Sequence, residues 1–436
     1  MSDSNPLSGK PQTFACPSCG GIVTIKAVGI TISAICAYCS SIIDVKNKNY
    51  QIIKTANEKI RKTLLELGIR GKLFGVEWEV IGYTIKKDSE YTDYRWEEYL
   101  LYNPYYGFRF LVQANGHWNF IKVLKADIPG AGSANEVWLN GKKYELFLKG
   151  SAVVEYVKGE FYWRVKKGDR ADVADYIAPP SLLSTEGNDE EITVSLGEYL
   201  MPEDVVAAFK PDQAMPDRTG VASNQPAPCQ GAFLNLWIIA GVFIALAYMI
   251  QAFTINTSDN ADVYSSQLQV DSTDRDKTLS TPSFSIPKKS NVLIQSGSPL
   301  DNDWLELHLS LVNEQTNKEY AIVQAMEYYH GQDSEGSWSE GSPWADSYIS
   351  SVPEGNYRLL IDADAGAYFK RGPAKFSLRI KRDVPAGSNY WITLLMILIY
   401  PGIITLFRWI FENKRWAESD YAPAIYKPSA ELNEDE

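Results

Sequence analysis

Four cysteines are the residues best placed to do chemistry. Cys16-Pro-Ser-Cys19 and Cys36-Ala-Tyr-Cys39 form two Cys-x2-Cys pairs with sixteen residues between them, a spacing used by zinc sites. Each short pair turns two thiolates towards one point. Two such turns complete a tetrahedral shell at Zn–S of about 2.3 Å. The same spacing leaves disulfide pairing and rubredoxin-like iron as alternatives, although only the first pair has the Pro and the following Gly. A Zn2+ with four protein ligands is structural, because no position is left for a substrate. Four reduced thiolates also belong in a reducing compartment. A fifth cysteine, Cys229, stands alone before an apolar run and reads as a membrane-edge residue or a lipid-attachment point.

Other chemistry is sparse. His117 follows the Asn115-Gly116 turn signal, with Glu97 and Glu98 expected about a strand away. A histidine near carboxylates suits proton transfer, but no nucleophile or second base accompanies it, so packing against Trp118 or backbone is the simpler reading. No catalytic residue is assigned. Between His330 and Trp344 two Trp lie among acidic and small polar residues, which suits sugar or peptide contact. His330, Trp338, Glu340 and Trp344 are the candidate ligand-binding residues. Ser337-Trp338-Ser339-Glu340-Gly341 misses the G-x-S-x-G elbow, and there is no P-loop or dinucleotide fingerprint.

Two apolar runs position these groups. Residues 232–253 and 390–411 are each long enough to span a bilayer of about 30 Å. Trp237, Tyr390, Trp391 and Trp409 sit near their ends, where aromatic belts form. Asp259, Asp262 and Asp271 follow the first run, whereas Arg408, Lys414 and Arg415 close the second. The positive-inside rule then places both termini in the cytoplasm and residues 254–389 outside, in a plasma (inner) membrane. No apolar h-region precedes residue 30, so no cleavable signal peptide is expected. With 45% hydrophobic and 22% charged residues the chain is globular in composition, and its net charge of -12 argues against a nucleic-acid binder. The weak exception is a basic helix expected over 46–62, which suits nucleic acid or anionic lipid equally.

The remainder reads as strands. Phe108–Val112 and His117–Ile121 flank a hairpin turn, and Ser151–Val157 and Glu160–Val165 flank Lys158-Gly159. The run Trp78, Val80, Gly82, then Trp96-Glu97-Glu98-Tyr99-Leu100-Leu101, Gly116-His117-Trp118, Gly159-Glu160-Phe161-Tyr162-Trp163 and Asp175–Pro180 resembles the DUF4178 domain, a mainly bacterial family of unknown function. The likeness covers about residues 65–210. It implies a β-rich fold and, in relatives of this layout, a membrane-bound form with an N-terminal zinc ribbon; it implies no activity. Leu305, Leu307, Leu309 and Leu311 alternate with Glu306, His308, Ser310 and Val312 in a half-buried strand of an outer antiparallel sandwich.

The expected architecture is mainly β and multidomain. It comprises a zinc ribbon (10–46), a basic helix (50–66), a β-barrel or sandwich-like DUF4178 domain (67–210), a linker (211–231), transmembrane helix 1 (232–253), a polar linker (254–280), an extracytoplasmic β-sandwich (281–385), transmembrane helix 2 (390–411) and a cytoplasmic tail (412–436). The functional expectation is a non-enzymatic, membrane-anchored adaptor with the bilayer and other proteins as partners. A transmembrane sensor using the Trp-rich loop, and an enzyme centred on His117, are the alternatives.

Overall fold

The computed structural model describes residues 11–426 except 48, 55–60, 92, 188–191, 272–276, 335 and 366–371. It is mainly β, 49% strand against 17% helix. The chain divides into two compact units, one of residues 1–232 with 403–436, the other of residues 233–402.

The first unit opens with two hairpins, β1 (Gln12–Ala15) with β2 (Ile22–Ile25) and β3 (Ser33–Ile35) with β4 (Ile42–Asp44), followed by β5 (Ile52–Lys54) beside β4. Each hairpin closes over one Cys-x2-Cys turn, and a turn around Gly29 joins the two hairpins. The expected basic helix is corrected. Ile52–Lys54 is a strand and residues 61–67 are irregular, while 55–60 lie outside the described residues. The apolar spacing that suggested a helix has a tertiary cause: Leu65 is fully buried in the core of the next domain, with Leu64 and Leu67 beside it.

That domain contains β6 (Arg70–Leu73), β7 (Val76–Asp88), β8 (Arg95–Asn103), β9 (Gly107–Ala114), β10 (His117–Val123), β11 (Glu136–Leu139), β12 (Lys142–Phe161), β13 (Arg170–Ala178), β14 (Ser181–Gly187) and β15 (Ile192–Leu200). The sheet runs β12-β13-β14-β15-β10-β9-β8-β7, and β7 pairs back onto β12, so eight antiparallel strands close a barrel. Lys158-Gly159 is not the expected turn. β12 runs through it for 20 residues. Gly159, at φ +97°, lies where β12 crosses β7, and a Cβ there would stand 2.2 Å from the Ile81 carbonyl oxygen. Glycine is required by this close approach, not by a reversal. Asn115-Gly116, both at positive φ, does form the expected hairpin. A helix absent from the β-rich expectation, α1 (Pro202–Phe209), starts with Pro in its first turn and buries Val205 and Phe209 against β6. Residues 211–231 follow the barrel surface; Asn224, with no exposed surface, donates to Asn119 Oδ1 at 2.7 Å and Pro180 O at 3.0 Å.

The second unit starts with α2 (Phe233–Thr257) and holds two sheets. β16 (Ala261–Val270), β25 (Ala374–Arg382), β19 (Ser290–Gly297) and β23 (Trp344–Val352) form one. β17 (Leu279–Ser280), β24 (Gly355–Asp364), β20 (Asp303–Asn313), β21 (Glu319–Asp333) and β22 (Gly336–Ser342) form the other, with β18 (Phe284–Ile286) on β24. The polar linker is thereby corrected: 261–270 is a strand, because Leu268 and Val270 reach the sandwich core while Ser265, Gln267 and Gln269 face out. Leu305, Leu307, Leu309 and Leu311 are each at most 1% exposed, as their alternation requires. α3 (Gly387–Trp416) follows. α2 and α3 are both long and apolar enough to cross a membrane, and both outrun the spans read from hydropathy.

Candidate functional site

The two cysteine turns are built alike. In the first, Gly20 N–H donates to Cys16 O at 2.8 Å and Cys16 N–H to Gly21 O at 2.8 Å; in the second, Ser40 N–H donates to Cys36 O at 2.9 Å and Cys36 N–H to Ser41 O at 3.0 Å. Backbone N–H groups of Ser18, Gly21 and Tyr38 point at the sulfurs of Cys16, Cys19 and Cys36, each at 3.4 Å. The turns interlock, since the Tyr38 ring occupies the space a Cβ on Gly21 would need. All four sulfurs lie within 4.8 Å of one another, with Cys16–Cys39 at 3.8 Å and Cys19–Cys36 at 3.6 Å. A tetrahedron with metal–sulfur bonds of about 2.3 Å has edges of about 3.8 Å, whereas a disulfide needs about 2.05 Å. Burial pushes the Cys36 thiol up to about 12. At Cys39 burial acts the same way but is outweighed by hydrogen bonds from Ser41, Cys19 and Cys36, which bring it down to about 6. Four thiolates so close need a cation between them. The donor set therefore fits a metal ion, which Cys16, Cys19, Cys36 and Cys39 would hold, with soft sulfur ligands suited to Zn2+ or iron.

Glu160 ties this centre to the barrel. It is 4% exposed, and its carboxylate accepts from Lys26 N–H at 2.9 Å, Ala27 N–H at 3.3 Å and the Thr31 hydroxyl at 2.8 Å. Burial raises its pKa more than these donors lower it. Lys26 also pairs with Glu79, and Phe161 O accepts from Ile32 N–H at 2.8 Å. The metal turns are thus carried on the barrel's longest strand.

His117 is 4% exposed. Its Nε2 is 3.3 Å from Thr219 O, which can only accept, so Nε2 carries the proton and Nδ1 accepts from the Tyr199 hydroxyl at 2.8 Å. Burial lowers its pKa, and both ring nitrogens are engaged, Nε2 with the 211–231 segment at Thr219 and Nδ1 with Tyr199 of β15. Glu97 and Glu98 are two strands away, not one, since β9 lies between β8 and β10; the Glu97 carboxylate accepts from the Tyr99 hydroxyl at 2.7 Å.

The structure does not gather the four outer residues into one site. His330 Nε2 pairs with Asp301 Oδ1 at 2.9 Å. The Trp338 ring covers Gly331 across the β21–β22 ladder, and Glu340 is exposed opposite Tyr329. Trp344 lies over Gly297 and alone among the four lines a cavity of about 700 Å³, with Gln267, Gln269, Tyr328, Lys375 and Phe376.

Sequence reasoning missed Arg415. It has no exposed side-chain surface and its guanidinium donates to the Ser223 carbonyl, to Gln225 O at 2.6 Å and to Glu412 at 2.9 Å. Trp416 beside it packs on Phe147, and Ser419 Oγ donates to Phe147 O. The end of α3 is therefore fastened to the barrel. As a flanking cation after an apolar run, Arg415 gave only a topology signal.

These features define a mainly β, multidomain protein with a four-cysteine centre, a closed barrel and two apolar helices. The barrel carries a DUF4178 domain: residues 66–202 match the family model described as a domain of unknown function (DUF4178). No curated protein matches the chain. Among solved structures it is similar to the insecticidal delta-endotoxin Cry8Ea1 from Bacillus thuringiensis, at 8% identity and a TM-score of 0.16, covering 71% of this chain and 53% of that one. The chain thus spans about half the toxin's length. Another is the infectious bursal disease virus Gx strain structure, at 9% identity and a TM-score of 0.14, covering 82% of this chain and 67% of that one. Neither score supports a structural argument.

Proposed function

We propose that the chain is a non-enzymatic adaptor of the bacterial plasma membrane. Its cytoplasmic ribbon and barrel form a docking platform for protein partners, and an extracytoplasmic β-sandwich is joined to it by two spans. The zinc is structural and rigidifies the ribbon surface. The observation that carries this reading is the buried Arg415, which makes the end of α3 and the barrel one piece. Force or displacement at the platform passes directly into that helix. A platform also suits the exposed aromatic surface of the barrel domain, including Tyr91, Tyr105, Tyr106 and Trp138, since Tyr and Trp dominate binding hot spots. The test is comparative co-purification from cross-linked membranes. Proteins recovered with the wild type should be lost with Cys36→Ser/Cys39→Ser while the variant still inserts, and should persist with His117→Gln. An unchanged set with the cysteine variant would refute the reading.

A sensor is the second reading, and the cavity beside Trp344 favours it. An exposed indole with Gln267, Gln269 and Lys375 around it suits a carbohydrate. Saccharides should then quench tryptophan fluorescence of the full-length protein in a Trp344-dependent way.

A further inference from the structure

One face of every barrel strand looks into the ring. Paired residues share a face, and the register carries that face round: Lys86 opposite Trp96, Glu98 opposite Val112, Ser184 opposite Asp175, Val173 opposite Glu186, and Val154 opposite Lys86 where the ring closes. Farther along the face, Leu100 and Tyr102 pack with Val157 and Phe161 and fill one part of the interior. The rest is a polar cavity of about 180 Å³. An eight-stranded barrel of this size either fills with side chains or holds one small ligand. An apolar cavity of about 150 Å³ accommodates benzene.

Its charge is unbalanced. Lys86, 6% exposed, lies 3.2 Å from Glu98 and 2.6 Å from Glu186. Burial pulls its pKa down, but the two carboxylates outweigh that and keep it charged. The cavity is lined as well by Asp88, Asp175 and the exposed Glu418, giving five carboxylates to one ammonium. Asp88 accepts from the backbone N–H groups of Glu90 and Tyr91. Asp175 and Glu418 make no ion pair among the described residues. Burial lowers the pKa of His117, and Arg218, whose charge acts on His117 and Tyr199, is not in the lining. Trp96 and Tyr94 add aromatic faces, with Trp96 Nε1 donating to Glu98 at 2.9 Å. The carboxylates are not clustered for a single metal ion: among the described residues only the four cysteines have that spacing.

The geometry points to a binding site inside the barrel for a small organic cation, a protonated or quaternary amine of about six to eight heavy atoms. Its charge meets Asp175 and Glu418, and its body meets Trp96. Thr219, Val221, Ala222 and Ser223 of the 211–231 segment also line the cavity. Thr219 N–H donates to Asn115 O at 2.9 Å, and Ser223 O is held by Arg415. Binding therefore occurs against the segment that fastens α3. The site does not depend on the adaptor reading.

Full-length protein in detergent is titrated with cyclohexylamine, triethylamine and choline, and with cyclohexanol and 3,3-dimethylbutan-1-ol as neutral counterparts. At least one cation should raise the unfolding midpoint saturably and change tryptophan fluorescence, while the neutral molecules do neither. Asp175→Asn should weaken that affinity about tenfold or more, as loss of a charged contact does. Glu418→Gln, a surface change that leaves the fold alone, should weaken it in the same direction. Trp96→Phe should keep the midpoint response and lose most of the fluorescence change. No response to any cation, equal response to the neutral molecules, or unchanged affinity in both acidic-site variants would overturn the proposal.

Discussion

Replacing Asp175 with asparagine should make the protein more stable at neutral pH. Asp175 faces the barrel cavity, and burial, opposed by the Ser184 hydrogen bond and reinforced by Glu186, raises its carboxyl from 3.8 to about 6. A carboxyl raised in the folded state binds its proton more tightly there than in the unfolded chain. Folding is then favoured at low pH, and that advantage is lost as pH rises from 3.8 to about 6. Two pH units at about 1.4 kcal/mol each put the burden near 3 kcal/mol above pH 7. Asparagine keeps an acceptor for Ser184 and removes the charge. The difference between variant and wild type should be about 3 kcal/mol near pH 7.5, about 1 kcal/mol near pH 4.5, and close to zero below 3.8. At about 2–4 °C per kcal/mol, the midpoint should rise by about 6–12 °C at the higher pH. The assay is thermal unfolding of both proteins in detergent across that range, followed by tryptophan fluorescence. An unchanged midpoint at neutral pH, or a gain independent of pH, would refute the reasoning. A stabilising loss of charge is also what a retained binding group looks like.

The purified protein should carry about one zinc per chain, and chelation should abolish amide protection over residues 12–44 while the barrel stays folded, because metal binding supplies most of the folding energy of so small a unit; metal analysis with hydrogen exchange checks this. Glu160→Ala leaves the Lys26 and Ala27 N–H groups and the Thr31 hydroxyl without their acceptor, so protection of that turn should fall by about 2–4 kcal/mol in hydrogen exchange. Arg415→Ala strips the Ser223 and Gln225 carbonyls of their donor and should expose residues 211–231 to limited proteolysis, with a loss of about 2–4 kcal/mol. Gly159→Ala, at φ +97° and against Ile81 O, should part β7 from β12 and lower the barrel's unfolding midpoint by more than about 5 °C.

The local features of the chain were legible in sequence because their causes are local. Two cysteines spaced for one turn announce a metal knuckle whatever surrounds them, and Leu305 to Leu311 alternate because one face of one strand is buried. Asn115-Gly116 specifies its own turn. The closed ring was not legible as such. β7 meets β12 across some seventy residues, and Gly159 serves that meeting, although beside Lys158 it reads as a turn. Ile52, Ile53, Leu64, Leu65 and Leu67 fit a helical period, yet the first two lie at a strand and the last three in an irregular stretch bound by the barrel core. The cavity charges were hidden for a related reason. Lys86, Glu98, Asp175 and Glu186 sit on four strands, and in an alternating pattern an inward charge looks like an outward one. The tail contacts are non-local too: Arg415 meets Ser223 and Gln225 about 190 positions away, and Trp416 meets Phe147 still farther off in sequence.

The adaptor reading requires the ribbon and barrel on one side of the membrane and the sandwich on the other, so protease added to intact spheroplasts is its most direct test. The expected result is degradation of the sandwich between β16 and β25, with the ribbon and the barrel protected as a folded fragment until the membrane is dissolved. Cleavage within the ribbon or barrel while the sandwich survives, or recovery of the whole chain in the soluble fraction, would contradict the account.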